Sequence, residues 1–119
     1  METVTLWRVE TKEGQGIFES GLLDQFTFYD SDPVGYPSMM EDIGVRFSES
    51  ARSACISVAQ LKHWFGMPDI VEWLSYHCAQ VVEIECPKEY ILQGRTQVLY
   101  GHRHAKVVKT LLVSELPIL

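Results

Sequence analysis

The spacing of apolar and polar residues predicts an α+β protein. Apolar and β-branched residues alternate with polar ones from Thr3 to Glu10, which indicates a first strand. From Arg52 a short run of residues that can adopt an extended backbone leads to Ser57. After Ser57, apolar residues recur at helical spacing as far as Gly66. Ser57 is the predicted N-cap of this helix, and Gly66 is its predicted left-handed stop.

The same pattern predicts the elements that follow. Pro68 starts a second helix at its preferred first-turn position, and this helix has one apolar face: Ile70, Val71, Leu74, His77 and Cys78. Later strands are predicted in four stretches: Gln80 to Glu85, Tyr90 to Leu92, Thr96 to Tyr100, and within Lys106 to Ser114. The second and third of these form a predicted hairpin. Together the elements predict a single domain over residues 1–119, with a mostly antiparallel twisted sheet of about five strands and two consecutive helices packed on it.

Between the first predicted strand and the first predicted helix, the spacing of apolar and polar residues does not indicate one type of element. Leu22 to Tyr29 fits either a strand or a turn of helix, and Asp30 to Gly44 is predicted to be a long loop because prolines and glycines interrupt it. Loops of this length often cover functional sites. An apolar centre with an acidic margin suggests a partner-binding patch in this loop, formed by Tyr36, Met39, Met40, Glu41 and Asp42. The alternative is a loop that packs on its own core.

Composition and charge narrow the class of protein. The chain is 46% hydrophobic, as expected of a folded domain. It contains no basic leader with an apolar run and no apolar stretch of about 20 residues, so we expect a cytoplasmic protein rather than a membrane protein. Three cysteines without a pairing pattern predict reduced, buried thiols: Cys55, Cys78 and Cys86.

The net charge of −6 is unevenly distributed. Residues 1–50 contain ten acidic and three basic residues, whereas residues 51–119 contain six acidic and seven basic residues. Solvated acidic loops explain this asymmetry, and a surface for a basic partner is the alternative. Direct nucleic-acid binding is not indicated, because no basic stripe alternates with aromatic residues.

The candidate chemistry starts with Arg8, which shares a strand face with apolar residues. A buried arginine needs either a carboxylate of the protein or an external anion. No metal site is predicted, because the histidines and cysteines lack zinc-ligand spacing. A cysteine or serine hydrolase is not predicted either, because the adjacent His77 and Cys78 would diverge on a helix and no nucleophile elbow is present.

Three residues resemble the arrangement in ADP-ribosyltransferase-like folds: Arg8 on the first strand, Ser57 at a strand-to-helix junction, and Gln97 where a late strand begins. That family uses a first-strand arginine or histidine, a central hydroxyl residue and a final glutamate. The resemblance implies that Arg8, Ser57 and Gln97 are the candidate catalytic residues and that Arg8 and Ser57 also bind NAD. Glutamine has no charge to offset an oxocarbenium-like transition state, so the implied activity is weak or degenerate.

A second resemblance covers more of the chain. Four motifs carry it in order: Leu-Trp-Arg-Val-Glu before a Gly-x-Gly turn, Ser-x-x-Gln-Leu-x-x-Trp-Phe, Val-Glu-Ile-Glu-Cys-Pro, and Gln-Val-Leu-Tyr. They begin at Leu6, Ser57, Val82 and Gln97, and they resemble small uncharacterised proteins of bacteriophages and prophages. This resemblance implies a phage origin and a location in the host cytoplasm.

The sequence therefore supports two hypotheses. The first is a small phage or prophage accessory protein that acts by binding a host or phage protein and needs no cofactor. The alternative is a degenerate ADP-ribosyltransferase-like enzyme that binds NAD. The sequence leaves enzymatic activity, the identity of the partner and the oligomeric state open.

Overall fold

Six β-strands form two antiparallel sheets in the computed structural model, which describes residues 2–45 and 51–119. The strands are β1 (Thr3–Glu10), β2 (Ala51–Ala54), β3 (Gln80–Pro87), β4 (Ile91–Gln93), β5 (Val98–Gly101) and β6 (Lys106–Leu112). One sheet has the order β1-β3-β6 and the other has the order β2-β5-β4. The α+β class is confirmed, but the prediction of one sheet of about five strands is wrong. Alternation along the chain identifies a strand without identifying its neighbours.

The two predicted helices are present as α4 (Val58–Phe65) and α5 (Pro68–Tyr76). Three further helices of four residues each precede them: α1 (Ile17–Ser20), α2 (Phe28–Ser31) and α3 (Met39–Asp42). They are too short to show helical periodicity in the sequence. Three 3₁₀ segments complete the described elements: Lys88–Tyr90, His102–His104 and Val113–Ile118.

The helix α4 begins with the predicted N-cap, but its C-terminal end differs from the prediction. The Ser57 hydroxyl accepts a hydrogen bond from the Gln60 amide at 3.0 Å, which confirms the N-cap. The prediction of a left-handed stop is wrong, because Gly66 has a right-handed φ of −87°. Glycine is needed there for space, since a Cβ would lie 2.5 Å from the Lys62 carbonyl oxygen.

The two sheets are joined at the middle of β1. Trp7 exchanges two backbone hydrogen bonds with Cys55, of 2.8 and 2.7 Å, just beyond the end of β2. On its other side β1 pairs with β3 along its whole length, from Thr3 opposite Pro87 to Glu10 opposite Gln80. The first strand is therefore central to the fold.

Two clusters of buried apolar side chains form the core. The first combines residues of α4 and α5 with β1 and β3, and its members include Val9, Leu61, Trp64, Phe65, Ile70, Leu74 and Val81. The second lies between the two sheets and contains Leu6, Ala54, Val82, Ile84, Cys86, Val98 and Tyr100. Val81 and Val82 belong to different clusters because successive side chains of a strand point to opposite faces. Both faces of β3 are therefore covered.

The remaining predictions had mixed outcomes. The hairpin is confirmed as β4 and β5, and the last strand is confirmed as β6. Cys55 and Cys86 are buried as predicted, but Cys78 is exposed. The prediction of burial fails there because α5 ends at Tyr76 and Cys78 adopts a positive φ of 59°. His77 and Cys78 therefore do not continue the apolar face of the helix.

Candidate functional site

Arg8 is buried and paired with the protein itself. Its Nε donates to the Glu10 carboxylate at 3.1 Å, and its Nη1 donates to the Ser53 carbonyl at 2.8 Å. Gln80 donates a further hydrogen bond to Glu10. Arg8 thus has the internal carboxylate partner that was one of its two predicted alternatives.

Ser57 and Gln97 also have structural partners. Ser57 caps α4, and the buried Gln97 donates from Nε2 to the Pro37 carbonyl at 3.0 Å. Neither of the two cavities described below is lined by Arg8, Ser57 or Gln97. The binding of NAD by Arg8 and Ser57 stays a prediction, and no feature of the described residues supports it.

Residues 29–42 form a strap across α4 and the β4–β5 turn. Tyr36 stacks on the His63 ring and donates to the His63 carbonyl at 3.1 Å. Tyr29 donates a short hydrogen bond to the Trp64 carbonyl. Met39 is buried. These contacts match the alternative of a loop that packs on its own core.

Asp42 holds the far end of the strap. Its carboxylate accepts from the backbone amides of Arg95 and Thr96, at 2.5 and 3.0 Å, and from the Thr96 hydroxyl at 2.8 Å. Burial raises the pKa of the Asp42 carboxyl, but the hydrogen bonds from Thr96 and Arg95 outweigh burial and keep this pKa below its ordinary value. Of the five predicted partner-binding residues, only Met40 and Glu41 are exposed. Their contact with a partner stays a prediction.

We expect Asp42→Asn to lower the free energy of unfolding by about 2 kcal/mol, because an amide nitrogen replaces one acceptor oxygen and the charge is lost. Urea unfolding at pH 7 measures this difference. Glu72→Gln, which removes an exposed carboxylate from α5, is the matched control and should change stability little. The native contribution of Asp42 should disappear as the pH falls through the lowered pKa, so the two proteins should converge in acid. Equal stability at pH 7 would contradict the role of Asp42 in holding the strap.

Among the described strands, β6 has the largest share of exposed residues, and its outer edge is unpaired. Every β6 residue except Leu111 is exposed, and the apolar ones include Val107 at 55%, Val108 at 40% and Leu112 at 64%. Among the described residues, no strand pairs with β6 on the side away from β3. The sequence predicted this strand but not its exposure; its two lysines, typical of edge strands, were the available signal.

Opposite charges face each other across the β3–β6 pair. Glu85 lies opposite Lys106 and Glu83 lies opposite Lys109, on either side of an irregularity in the ladder. Neither lysine makes an ion pair within 4.0 Å in the described part of the chain, where Arg8 and Glu10 form the one salt bridge. Their ammonium groups therefore face solvent beside an open strand edge.

Two surface cavities are each lined by several polar residues of the described ranges, 2–45 and 51–119. The first has a volume of about 410 Å³ and is lined by Thr11, Lys12, Glu13, Ser20, Leu22, Tyr76, His77 and Cys78. His77 and Cys78 both line it, and the prediction that their side chains diverge stays a prediction. The second, which we call the inter-sheet groove, has a volume of about 360 Å³ and is lined by Glu10, Glu13, Gly14, Arg52, Ile84, Tyr100, His102, Ala105 and Val107.

The described residues contain neither a metal-binding cluster of side chains nor a membrane-spanning helix. No group of three or more histidine, cysteine, aspartate or glutamate side chains within residues 2–45 and 51–119 is placed to hold a metal ion. No helix in these ranges is long and apolar enough to cross a membrane.

Comparison with known proteins points to one family. The family model described as Bacteriophage T4 Y00F protein matches residues 1–114. No curated protein and no solved structure matches the chain. The family match agrees with the resemblance to phage proteins in the sequence and gives no support to the resemblance to ADP-ribosyltransferases.

Proposed function

The chain belongs to the bacteriophage T4 Y00F family, and we propose that it is a phage accessory protein that binds another protein by adding a partner strand to the outer edge of β6. The observation that carries the proposal is the open, seven-residue edge with its exposed valines and leucine. Edge strands present unpaired backbone groups to which an extended segment can add. Backbone hydrogen bonds would supply affinity, and the β6 side chains would supply selectivity.

The charge pattern supports one class of partner. Lys106 and Lys109 already face glutamates on β3, and a strand on the other side of β6 would face the same two lysines. Opposite charges on neighbouring strands stabilise the pair, whereas like charges destabilise it. We therefore expect a partner segment that combines acidic residues with apolar residues.

A second copy of the chain fits this edge less well. Antiparallel self-pairing centred on β6 would place Lys109 opposite its own counterpart, because Lys109 is the middle residue of the strand. That arrangement puts two like charges in direct cross-strand contact. The lysines thus favour a different, acidic partner over self-association.

Photo-crosslinking in phage-infected cells tests the proposal. The full chain carries p-benzoylphenylalanine in place of Val108, and mass spectrometry maps the adduct on the partner. We expect an adduct with one phage or host protein, within an extended segment rich in acidic and apolar residues. The matched control carries the same photoprobe in place of Val34, which is also an exposed valine, at 72%, but lies in the strap.

Charge reversal provides the second arm. Lys106→Glu/Lys109→Glu should reduce the adduct about tenfold, since two favourable cross-strand pairs become repulsive. Lys12→Glu/Lys88→Glu changes the net charge equally at exposed positions away from β6 and should leave the adduct intact. The proposal fails if the Val108 and Val34 probes give the same adducts, if the Val108 probe gives none, or if its adduct is a second copy of the chain.

A further inference from the structure

The inter-sheet groove brings together side chains that are distant in sequence. Its apolar wall consists of Ile84 on β3, Val107 on β6, and Ala105 between β5 and β6. Across from them lie Arg52 on β2 and Tyr100 on β5, which are directly opposite each other in the β2–β5 ladder. A cavity with an apolar wall and a few convergent polar groups is the usual form of a small-molecule site.

The phenol of Tyr100 lies within the field of two arginines. The residue is 3% exposed. Burial raises the pKa of the Tyr100 phenol, whereas the positive charges of Arg8 and Arg52 lower it without cancelling the effect of burial. At neutral pH the hydroxyl is therefore protonated and is a hydrogen-bond donor at the groove.

His102 adds an unsatisfied polar atom to the same wall. Its Nδ1 is buried and has no hydrogen-bond partner within the described ranges. Buried polar atoms without partners destabilise a protein, and they are rare enough in native structures that each calls for an explanation. A bound ligand that hydrogen-bonds to this imidazole would supply one.

The net charge of the groove depends on which carboxylates are already paired. Glu10 lines the groove, but it is neutralised by Arg8 and also accepts a hydrogen bond from Gln80. Glu13 is exposed and makes no ion pair with Arg52 in the part of the chain that the structure describes. Arg52 thus contributes a positive charge next to an apolar wall, and the carboxylate of Glu13 contributes a negative charge to the same groove.

We propose that the inter-sheet groove binds a small organic anion, with a carboxylate or phosphate against Arg52 and Tyr100 and an apolar body against Ile84, Ala105 and Val107. Guanidinium groups bind both anions through paired hydrogen bonds, so the two classes share this recognition. The apolar body distinguishes the site from a simple anion patch. A ligand the size of a substituted benzene ring suits the volume of about 360 Å³.

NMR titration of the full chain with three probes tests this assignment. Benzoate supplies a carboxylate, phenyl phosphate supplies a phosphate, and benzamide is the uncharged isostere of benzoate. We expect benzoate or phenyl phosphate to shift the methyl signals of Ile84, Ala105 and Val107, with benzamide at least tenfold weaker because it lacks the charge. The anion with the lower dissociation constant identifies the natural ligand class.

Two variants test the polar groups. Arg52→Gln should weaken binding of the preferred anion about tenfold, as expected for loss of a charge-assisted hydrogen bond. Arg103→Gln is the matched control, because Arg103 is an exposed arginine next to His102 that does not line the groove. Tyr100→Phe keeps the buried ring and should weaken binding by a smaller factor, so it tests the site even if Arg52→Gln disturbs the fold.

Three results would overturn the assignment. One is that benzamide binds as tightly as benzoate does, which would show that the negative charge is not recognised. Another is equal weakening by Arg52→Gln and Arg103→Gln. The third is shifts that are absent or scattered over the surface, the result expected if Arg52 pairs with Glu13 in solution. The groove variants leave Lys106 and Lys109 unchanged, so this proposal and the β6 proposal can fail separately.

Discussion

Replacing Arg8 with methionine should lower the free energy of unfolding by about 3–5 kcal/mol, the largest effect that we expect from a single substitution. The side chain is buried, and its loss leaves the buried Glu10 carboxylate without its cation. Removing one partner of a buried ion pair is strongly destabilising because the remaining charge is uncompensated. The Ser53 carbonyl also loses its donor.

A double-mutant cycle separates the charge from the packing. Arg8→Met, Glu10→Gln and the double variant are compared by urea unfolding. The double variant should be more stable than Arg8→Met alone, since it no longer contains a buried, unpaired carboxylate. Arg103→Met, at an exposed position, is the control for the loss of an arginine.

The same substitution bears on the NAD hypothesis. An arginine kept for an external nucleotide could be replaced at little cost in stability, and millimolar NAD would raise the melting temperature of the native protein but not that of Arg8→Met. A stability loss below 1 kcal/mol for Arg8→Met would contradict the structural role, whereas an NAD-dependent rise in melting temperature would favour the enzymatic alternative.

The second large effect is a loss of stability in alkaline solution. Burial raises the pKa of the Cys55 thiol to about 12, and it raises the pKa of the Tyr29 and Tyr100 phenols above their ordinary value of 10.0. In the unfolded chain the thiol ionises near pH 9 and the phenols near pH 10, while the folded protein keeps all three groups protonated. Their contribution is fully present below pH 9 and is lost as the pH rises.

The expected slope is steep. Each group lowers the free energy of unfolding by about 1.4 kcal/mol per pH unit between its unfolded and folded pKa values. Cys55 and Tyr29 together give about 3 kcal/mol per unit just above pH 10, and Tyr100 adds to this slope until the pH reaches its own raised pKa. Urea unfolding at pH 8, 9, 10 and 11 measures the slope. Absorbance at 295 nm should show that the Tyr29 phenol ionises only as the protein unfolds.

Two phenylalanine variants assign the effect. Tyr29→Phe removes one buried phenol and should reduce the slope above pH 10 by about 1.4 kcal/mol per pH unit, whatever its stability at pH 8. Tyr76→Phe removes an exposed phenol and should leave the slope unchanged. If stability stays constant from pH 8 to pH 11, the buried groups do not control the alkaline transition.

Local features could be predicted because neighbouring residues determine them. Ser57 caps α4, Pro68 starts α5, and the β4–β5 hairpin forms where the pattern indicates. Each depends on contacts between residues a few positions apart, so the periods of helices and strands show them directly. The resemblance to phage proteins was likewise visible in short ordered motifs.

Contacts across the chain could not be predicted. Arg8 had two possible partners in the sequence, and only the folded β1 places Glu10 and the Ser53 carbonyl around its guanidinium. Gln97 and Asp42 were predicted as site residues, which stays a prediction, and only the fold shows that they also fasten the strap, because residues 37 and 96 lie next to them. The sequence pattern around a buried polar side chain is the same whether that side chain binds a ligand or another part of the protein.

The sequence by itself determined the α+β class, most of the long elements, the N-cap of α4 and the resemblance to phage proteins, because periodicity, capping and ordered motifs are short-range properties. Only the tertiary structure decided that the strands form two sheets, that β6 is an open edge, and that Arg52, Tyr100 and His102 line one groove. Strand pairing depends on long-range burial of two faces at once, and no local pattern encodes which strand lies next to which.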